Sequence, residues 1–134
     1  MSASPIPADW PHRAASSQIP AAGLVWHVQR FGAGPILLLI HGTAASTHSF
    51  RDLATRLAED FQIIAVDLPG HGYSGGLDAP TLPRVSEALA ALLSKMEVSP
   101  DLVCGHSAGA AVALRMAVDG VVTPRAVIAL APAL

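Results

Sequence analysis

The sequence has few charges, few aromatic side chains and a single cysteine. Charged residues make up 13% of the 134 residues, aromatic residues make up 4%, and the formal net charge is −2. Basic residues are scattered, with Lys95 the only lysine, so neither nucleic acid nor an anionic membrane surface is an expected partner. Cys104 is the only cysteine, which excludes an internal disulfide and is typical of a reducing compartment.

Long hydrophobic runs are also absent, and no secretory leader is expected. The longest strictly aliphatic run covers residues 36–40, which is far too short to cross a bilayer. The N-terminal stretch contains Pro5, Pro7, Asp9 and Pro11 and no apolar segment of the signal-peptide type. Because 51% of the residues are hydrophobic, the chain is still expected to fold around a core. We therefore expect a soluble, cytoplasmic protein without a transmembrane segment.

Sequence signatures of cofactors and metals are missing as well. Residues 70–75 match G-x-G-x-x-G, but Leu68-Pro69 precede them and a loop to Pro80 follows, whereas the dinucleotide motif joins a strand directly to a helix. The sequence contains no Walker A motif, no Cys/His cluster with zinc spacing and no paired carboxylates of the glycosidase type. We expect no cofactor and no metal.

Short apolar runs alternate along the chain with stretches of helical spacing. Residues 1–20 are rich in Pro, Ala and Ser, show no period and are predicted to form an irregular N-terminal arm. Strands are predicted at residues 24–31, 36–40, 61–66 and 102–106 and from residue 126, and helices after Ser46, Thr81 and Ser107. This order predicts a doubly wound, mostly parallel α/β sheet over residues 21–134.

The predicted helices carry apolar residues at helical spacing. The first is expected to bury a face formed by Phe50, Leu53, Ala54 and Leu57. The second tolerates Pro83 in its first turn, and its inner face is predicted to consist of Val85, Leu89, Leu92, Leu93 and Met96. The third is expected to end before Gly120, because glycine accepts the left-handed conformation that follows many helices.

The most informative stretch is Gly105-His106-Ser107-Ala108-Gly109, which lies between a predicted strand and a predicted helix. In that context Gly-x-Ser-x-Gly is typical of a nucleophile elbow, a sharp turn that holds the serine in a strained backbone conformation. Gly105 and Gly109 flank the serine because strand and helix pass too close there for a side chain. Ser107 also lies at a helix N-terminus, whose free N–H groups favour negative charge. The motif predicts a nucleophile beside an oxyanion site.

Other polar residues follow the predicted strands as Ser107 does. Residues 41–43 follow one buried strand and Asp67 follows the next. The C-terminal ends of parallel strands lie at one edge of a sheet, where sites form, so we expect these residues to converge. His41 is expected to hold the loop after it by hydrogen bonding, His106 to shape the pocket wall, and Asp67 to hold the turn that follows it.

Three segments resemble the α/β-hydrolase-fold family in the order in which that family has them. They are residues 41–43, the run Asp67-Leu68-Pro69-Gly70-His71-Gly72-Tyr73-Ser74, and residues 105–109, and the resemblance covers about residues 24–134. It implies that Ser107 is the nucleophile and that the backbone N–H groups of Thr43 and Ala108 form the oxyanion hole. It also implies a set of residues that shape the elbow and the pocket, namely His41, Gly42, Gly105, His106 and Gly109.

Further segments resemble the magnesium-chelatase accessory proteins of bacteriochlorophyll biosynthesis. These segments are residues 10–16, 26–29, 41–50 and 105–110. The arm with Trp10 is the discriminating piece, because ordinary esterases share the elbow but not that arm. The resemblance implies an acyl substrate or a tetrapyrrole intermediate as the small-molecule ligand, and magnesium chelatase as a protein partner.

The base that a serine nucleophile needs does not follow Ser107 in the sequence. In this fold an acid and then a histidine come after the serine, but here Asp119 is the only acidic residue after Ser107 and no histidine follows. Asp119 lies about 12 residues along the predicted helix, roughly 18 Å away, and cannot be that acid. Either the sequence is the N-terminal part of a longer protein, which we favour, or a shortened chain has lost hydrolysis.

Two functions stay open at this point. The first is a serine hydrolase that acts on an ester, thioester or related acyl bond. The second is a non-catalytic protein of the same fold that binds or delivers a ligand during magnesium insertion into a tetrapyrrole, because a fold does not by itself decide a function. Among the remaining histidines, His71 is expected to be structural, and His48 faces either the pocket or solvent.

Overall fold

The fold is a six-stranded sheet with helices on both faces, seen in a computed structural model that describes residues 5–132. The strands are β1 (Ser16–Ala21), β2 (Leu24–Phe31), β3 (Ile36–Ile40), β4 (Gln62–Val66), β5 (Leu102–His106) and β6 (Ala126–Leu130). The helices are α1 (Arg51–Leu57), α2 (Leu82–Met96) and α3 (Ala108–Val118), with short 3₁₀ helices at Arg13–Ala15 and Thr47–Phe50. The first four residues of the predicted arm and the last two of the predicted domain lie outside the described residues.

The sheet is mixed, with its parallel strands in the centre and at one edge. The strands lie in the order β1-β2-β4-β3-β5-β6. β3 pairs in parallel with both β4 and β5, β5 pairs in parallel with β6, and β1 and β2 add an antiparallel edge. Ile40 lies opposite Val66 on one side and Gly105 on the other, so three strands end together. The predicted doubly wound α/β architecture is confirmed.

The central strand β3 is buried on both faces and contributes to two separate clusters. Leu38 and Ile40 pack in the larger cluster with residues of α2 and α3. Leu37 and Leu39 point to the opposite face and pack with residues of α1 and of the 3₁₀ helix before it. Burial on two faces explains why β3 is a continuous apolar run rather than an alternating one.

Side-chain caps define where the helices begin. The Thr81 hydroxyl accepts a hydrogen bond from the Arg84 amide (3.4 Å), and the Ser46 hydroxyl accepts one from the His48 amide (3.2 Å). α3 ends before Gly120, whose φ of 70° is the left-handed conformation expected there. In the described part of the chain, no helix has both the length and the hydrophobicity needed to cross a bilayer.

The prediction that residues 1–20 form an irregular arm is wrong for residues 16–20. They belong to β1, which pairs with β2 so that Ser16 lies opposite Gln29. The Pro- and Ser-rich sequence hides the strand, because an edge strand needs hydrogen-bond donors on one side only and therefore tolerates Pro20.

The prediction that Leu53 is buried on the inner face of α1 is also wrong, because its side chain is 39% exposed. Phe50 and Ala54 are buried four residues apart, which is one helical turn, whereas Leu53 lies beside that stripe and faces outwards.

β6 forms one edge of the described sheet and is apolar and exposed. Its side chains at Ile128 and Leu130 are 42% and 39% exposed, and it pairs in parallel with β5. An exposed apolar edge strand favours pairing with another strand.

Candidate active site

Ser107 lies in a sharp turn between β5 and α3 with a strained backbone. Its φ of 55° and ψ of −119° lie in a region of backbone conformation that residues other than glycine rarely occupy. The Ser107 amide donates to the Leu130 carbonyl (2.9 Å), and its carbonyl accepts from the Ala110 amide (3.0 Å). Within residues 5–132 the hydroxyl makes no capping hydrogen bond to the helix it precedes. The backbone is therefore fixed, while the hydroxyl stays available to a ligand.

Three glycines allow the loop after β3, the turn at Ser107 and the start of α3 to approach closely. A Cβ atom on Gly105 would collide with the carbonyl of Gly109, and one on Gly109 would collide with the carbonyl of Ile40. A Cβ atom on Gly42 would lie 3.0 Å from the Cβ of Ser107. The close approach is the reason for glycine at these positions, and it places the loop after β3 directly beside Ser107.

An open cleft lies at this edge of the sheet, with a volume of about 330 Å³. Thr43 and Ala108 both line it, so the structure brings the two residues with the predicted oxyanion amides to one cavity. The other lining residues include Leu68, Pro69 and Val85, and none of the lining residues is Asp, Glu, Lys or Arg. The cleft is suited to an uncharged, largely apolar group.

His41 is buried and both of its ring nitrogens have partners. Nε2 accepts from the Leu68 amide (2.9 Å), so the proton is on Nδ1, which donates to the Gly42 carbonyl (2.6 Å). Burial lowers the pKa of His41, because the charged imidazolium is disfavoured away from water, and the nearby His71 adds to the effect, while the Gly42 carbonyl and Asp67 oppose it. His41 is thus a neutral bridge between two loops and has no lone pair left to take a proton.

Asp67 is buried, and three hydrogen bonds hold its carboxylate. One oxygen accepts from the Thr47 amide (2.7 Å), and the other accepts from His27 Nδ1 (2.6 Å) and the Tyr73 amide (2.9 Å). Burial alone would raise the pKa of Asp67, but the hydrogen bonds from His27, Tyr73 and Thr47 outweigh it and keep the pKa below its usual value. Asp67 therefore holds the turn that follows it, as expected, and also holds the loop after β3.

Residues 37–134 match the model of the alpha/beta hydrolase family. The chain belongs to this family. It is 41% identical over 118 residues to the magnesium-chelatase 30 kDa subunit of Rhodobacter capsulatus, which covers 85% of this chain and 42% of that protein. It is 42% identical over 92 residues to a pimeloyl-[acyl-carrier protein] methyl ester esterase of Stenotrophomonas maltophilia, covering 68% of this chain and 34% of the esterase.

Solved structures of the family share the fold. The N-formylmaleamic acid deformylase of Pseudomonas putida superposes with a TM-score of 0.77 at 30% identity, covering 87% of this chain and 46% of that one. An alpha/beta hydrolase of Sphaerobacter thermophilus superposes with a TM-score of 0.76 at 29% identity, covering 84% and 44%. The chain thus spans less than half the length of these relatives.

A Ser-His-Asp arrangement that the sequence did not reveal joins β1, β2 and the residue after β4, and does not include Ser107. The Ser16 hydroxyl lies 2.8 Å from His27 Nε2, and His27 Nδ1 donates to Asp67 at 2.6 Å. His27 is fully buried, and Gln29 Nε2 also donates to the Ser16 hydroxyl (3.2 Å). The one signal in the sequence is a histidine within an apolar strand, and only the pairing of β2 with β4 brings it to Asp67.

Three other histidines, His106, His48 and His71, occupy different environments. His106 is exposed, next to Ser107 in the chain. The His48 ring packs against Trp10 with centroids 5.1 Å apart. It therefore contacts the N-terminal segment, whereas the sequence suggested that it faces either the pocket or solvent. His71 donates from Nδ1 to the Pro69 carbonyl (3.0 Å) and also lines the cleft, so it combines the expected structural role with a place in the cavity wall.

No acid and histidine pair with Ser107 in the described part of the chain. Asp119 lies at the far end of α3, where it accepts from Arg115 Nε at 2.7 Å, and the pair is partly exposed. Within residues 5–132 there is also no group of three or more His, Cys, Asp or Glu side chains that could hold a metal ion.

Proposed function

We propose that the chain carries the nucleophile and the oxyanion hole of a serine hydrolase that acts on an ester, thioester or related acyl bond. The observation that supports it is the strained Ser107 at the N-terminus of α3, beside a cleft lined by Thr43 and Ala108. In this proposal the Ser107 oxygen attacks the acyl carbon, and the amides of Thr43 and Ala108 stabilise the negative oxygen that forms. The proton of the Ser107 hydroxyl passes to the base as the new C–O bond forms, and the adduct then collapses and expels the protonated alcohol or thiol, which leaves an acyl-enzyme that water hydrolyses.

The proton acceptor in this proposal comes from sequence outside the 134 residues. Family order places an acid and then a histidine after the serine, and residues 108–134 contain Asp119 and no histidine. His41 cannot take the proton, because both of its nitrogens are engaged in hydrogen bonds.

The similarity to the magnesium-chelatase 30 kDa subunit supports a role in bacteriochlorophyll biosynthesis, with magnesium chelatase as a protein partner. The substrate in that role is an acyl compound or a tetrapyrrole intermediate. The apolar lining of the cleft is compatible with either, because acyl chains and tetrapyrrole rings both present large uncharged surfaces.

A second candidate function is binding or delivery of a ligand without catalysis. The observation that favours it is that no acid–histidine pair reaches Ser107 within residues 5–132. In that case the elbow is retained as part of the fold without a catalytic role, and the cleft beside it binds the ligand.

Labelling with a fluorophosphonate probe tests the first candidate. In the full-length protein we expect the label on Ser107 and expect Ser107→Ala to abolish it. Ser16→Ala is the matched control, because the Ser16 hydroxyl contacts the buried His27–Asp67 pair, and Ser107 should remain the labelled residue in that variant. A label on Ser16, or labelling that survives Ser107→Ala, would overturn the proposal.

Pigment synthesis separates the two candidates in a host that depends on the protein. Loss of bacteriochlorophyll on Ser107→Ala, with the protein still present at normal level, supports hydrolysis. Normal pigment with Ser107→Ala supports the binding role, because the substitution removes the nucleophile and leaves the cleft lining intact.

A further inference from the structure

The loop between β3 and α1 carries Thr43 and is anchored at both ends to the loop after β4. At its first end, His41 accepts from the Leu68 amide (2.9 Å) and donates to the Gly42 carbonyl (2.6 Å). At its second end, the Thr47 amide donates to the Asp67 carboxylate (2.7 Å). The orientation of the peptide groups between these anchors therefore depends on residues 67–68.

Between the anchors the loop has little support of its own. Thr43 and Ala44 are exposed, and Ala44 has a φ of 62°. One backbone hydrogen bond, from the Ala45 amide to the Gly42 carbonyl (3.1 Å), closes a turn inside the loop. A short loop with so few internal contacts takes its geometry from its ends, so a shift at Thr47 moves the Thr43 peptide as well.

The N-terminal segment, residues 10–16, contacts the second anchor, Thr47. Trp10 Nε1 donates to the Thr47 hydroxyl (3.2 Å), and the Trp10 ring packs edge-on against Tyr73 with centroids 5.0 Å apart. The segment is itself fixed to β2, because Gln29 Nε2 donates to the Pro11 carbonyl (2.7 Å). Thr47 is 2% exposed, so its hydrogen bonds are shielded from competition by water.

The same N-terminal segment also reaches the Asp67 carboxylate. Ser16 contacts His27, and His27 donates to the carboxylate oxygen that accepts from the Tyr73 amide. The segment thus contacts Thr47 through Trp10, and it contacts Asp67 indirectly, through Ser16 and His27. Two independent connections lead from one segment to one anchor of the Thr43 loop.

We propose that Trp10 and Asp67 are positioning residues for the Thr43 amide, through their shared contact with Thr47. This inference rests on the proposed role of that amide in holding the oxyanion. Removal of an oxyanion donor lowers kcat by about 10² to 10³-fold, and misplacement by about 1 Å has a similar effect, so a partial shift of this amide is expected to lower kcat by about tenfold. Neither side chain touches the substrate.

Trp10→Phe is the sharpest variant, since it keeps an aromatic ring against Tyr73 and removes the N–H group that reaches Thr47. Trp26→Phe is its matched control. Trp26 is fully buried in the core and donates from Nε1 to the Ala21 carbonyl (3.0 Å), so the control makes the same chemical change away from the loop. Asp67→Asn is a second variant with a larger expected effect.

The first measurement is the amide NMR spectrum of the full-length protein. With Trp10→Phe we expect the Thr43 and Thr47 amide signals to shift and the Thr47 amide to exchange with solvent about tenfold faster. Trp26→Phe should leave both signals in place. A Thr43 signal unchanged in Trp10→Phe and in a folded Asp67→Asn variant would overturn the proposal, whether or not the protein hydrolyses anything.

The second measurement is catalysis together with the affinity for phenylboronic acid, which mimics the tetrahedral adduct. With Trp10→Phe we expect kcat to fall about tenfold, KM to change little, and boronic acid binding to weaken in parallel. A raised KM with unchanged kcat would overturn positioning and indicate a binding role for the segment. Failure of the wild-type protein to bind the boronic acid through Ser107 would count against the proposed hydrolase alone, and the NMR result would still judge the positioning.

Discussion

The two polar regions at the C-terminal edge of the sheet differ in how their polar atoms are satisfied. Around Asp67, His27 and His41, the buried polar side-chain atoms all have hydrogen-bond partners in the described residues. At Ser107 the backbone is strained, and the hydroxyl makes no capping hydrogen bond within the same residues. A saturated buried network stabilises one conformation, whereas strain beside a cleft is typical of a functional site.

The comparison is instructive because the saturated region looks more like a catalytic site. It contains serine, histidine and aspartate in the order of a catalytic relay, at 2.8 and 2.6 Å. Yet His27 and Asp67 are fully buried, and Ser16 lies on a regular edge strand with Gln29 donating to its hydroxyl. Atom order alone therefore does not identify a nucleophile; access and backbone geometry are needed as well.

The largest effect on stability is expected at the close contact that supports the elbow. Gly109→Ala should lower the free energy of unfolding by about 3 kcal/mol or more, because the new Cβ meets the backbone of β3, which cannot move without disturbing the sheet. Urea unfolding measures the change. Gly76→Ala is the control, since a Cβ there meets nothing within 4 Å, and it should stay within about 0.5 kcal/mol of wild type. Equal stability of the two variants would contradict the packing described for the elbow.

The saturated network should respond next. Asp67→Asn should lower the free energy of unfolding by about 2 to 3 kcal/mol, because an amide nitrogen replaces an oxygen that accepts hydrogen bonds. The pKa of Asp67 is lowered in the folded state, so its contribution is full above pH about 4 and is lost as the pH falls through the folded pKa. The variant should lose that acid dependence, as measured by thermal unfolding from pH 7 to pH 2. The exposed Asp78→Asn should keep it.

A smaller and opposite effect is expected at the strained serine. Ser107→Gly should raise the free energy of unfolding by about 1 kcal/mol, because glycine adopts a φ of 55° without the penalty that a side chain incurs. Ser107→Ala keeps the Cβ and should leave stability nearly unchanged, so the pair separates strain from loss of the hydroxyl. A destabilised Ser107→Gly protein, seen in calorimetry, would show that the serine is not strained.

The smallest expected effect is the contribution of His41 to the pH dependence of the free energy of unfolding, and this contribution vanishes near neutral pH. The folded pKa of His41 is lowered, so the unfolded chain binds more protons as the pH falls below about 6.5, and stability declines from there. One such group contributes a slope of at most about 1.4 kcal/mol per pH unit. His41→Gln should flatten the slope between pH 6.5 and pH 5, whereas exposed His106→Gln should not. An unchanged slope in His41→Gln would assign the dependence to another group.

Much of the fold could be predicted from the sequence because its signals are local. The continuous apolar run of β3, the caps at Ser46 and Thr81 and the glycine after α3 all act within a few residues of where they stand. The turn at Ser107 is local too, since Gly105 and Gly109 have the geometry of one strand-to-helix connection. The prediction failed at β1, because an edge strand tolerates proline, and at Leu53, because that residue lies beside the buried stripe of α1.

The sequence by itself determined the order of strands and helices from β2 onwards and the presence of a strained serine at the end of β5, since both follow from local backbone and hydrophobic preferences. Only the tertiary structure decided that His27 meets Asp67, that Trp10 reaches Thr47, and that Thr43 and Ala108 share a cleft. Those contacts join residues far apart in the chain. They depend on strand order and register, which no local pattern specifies.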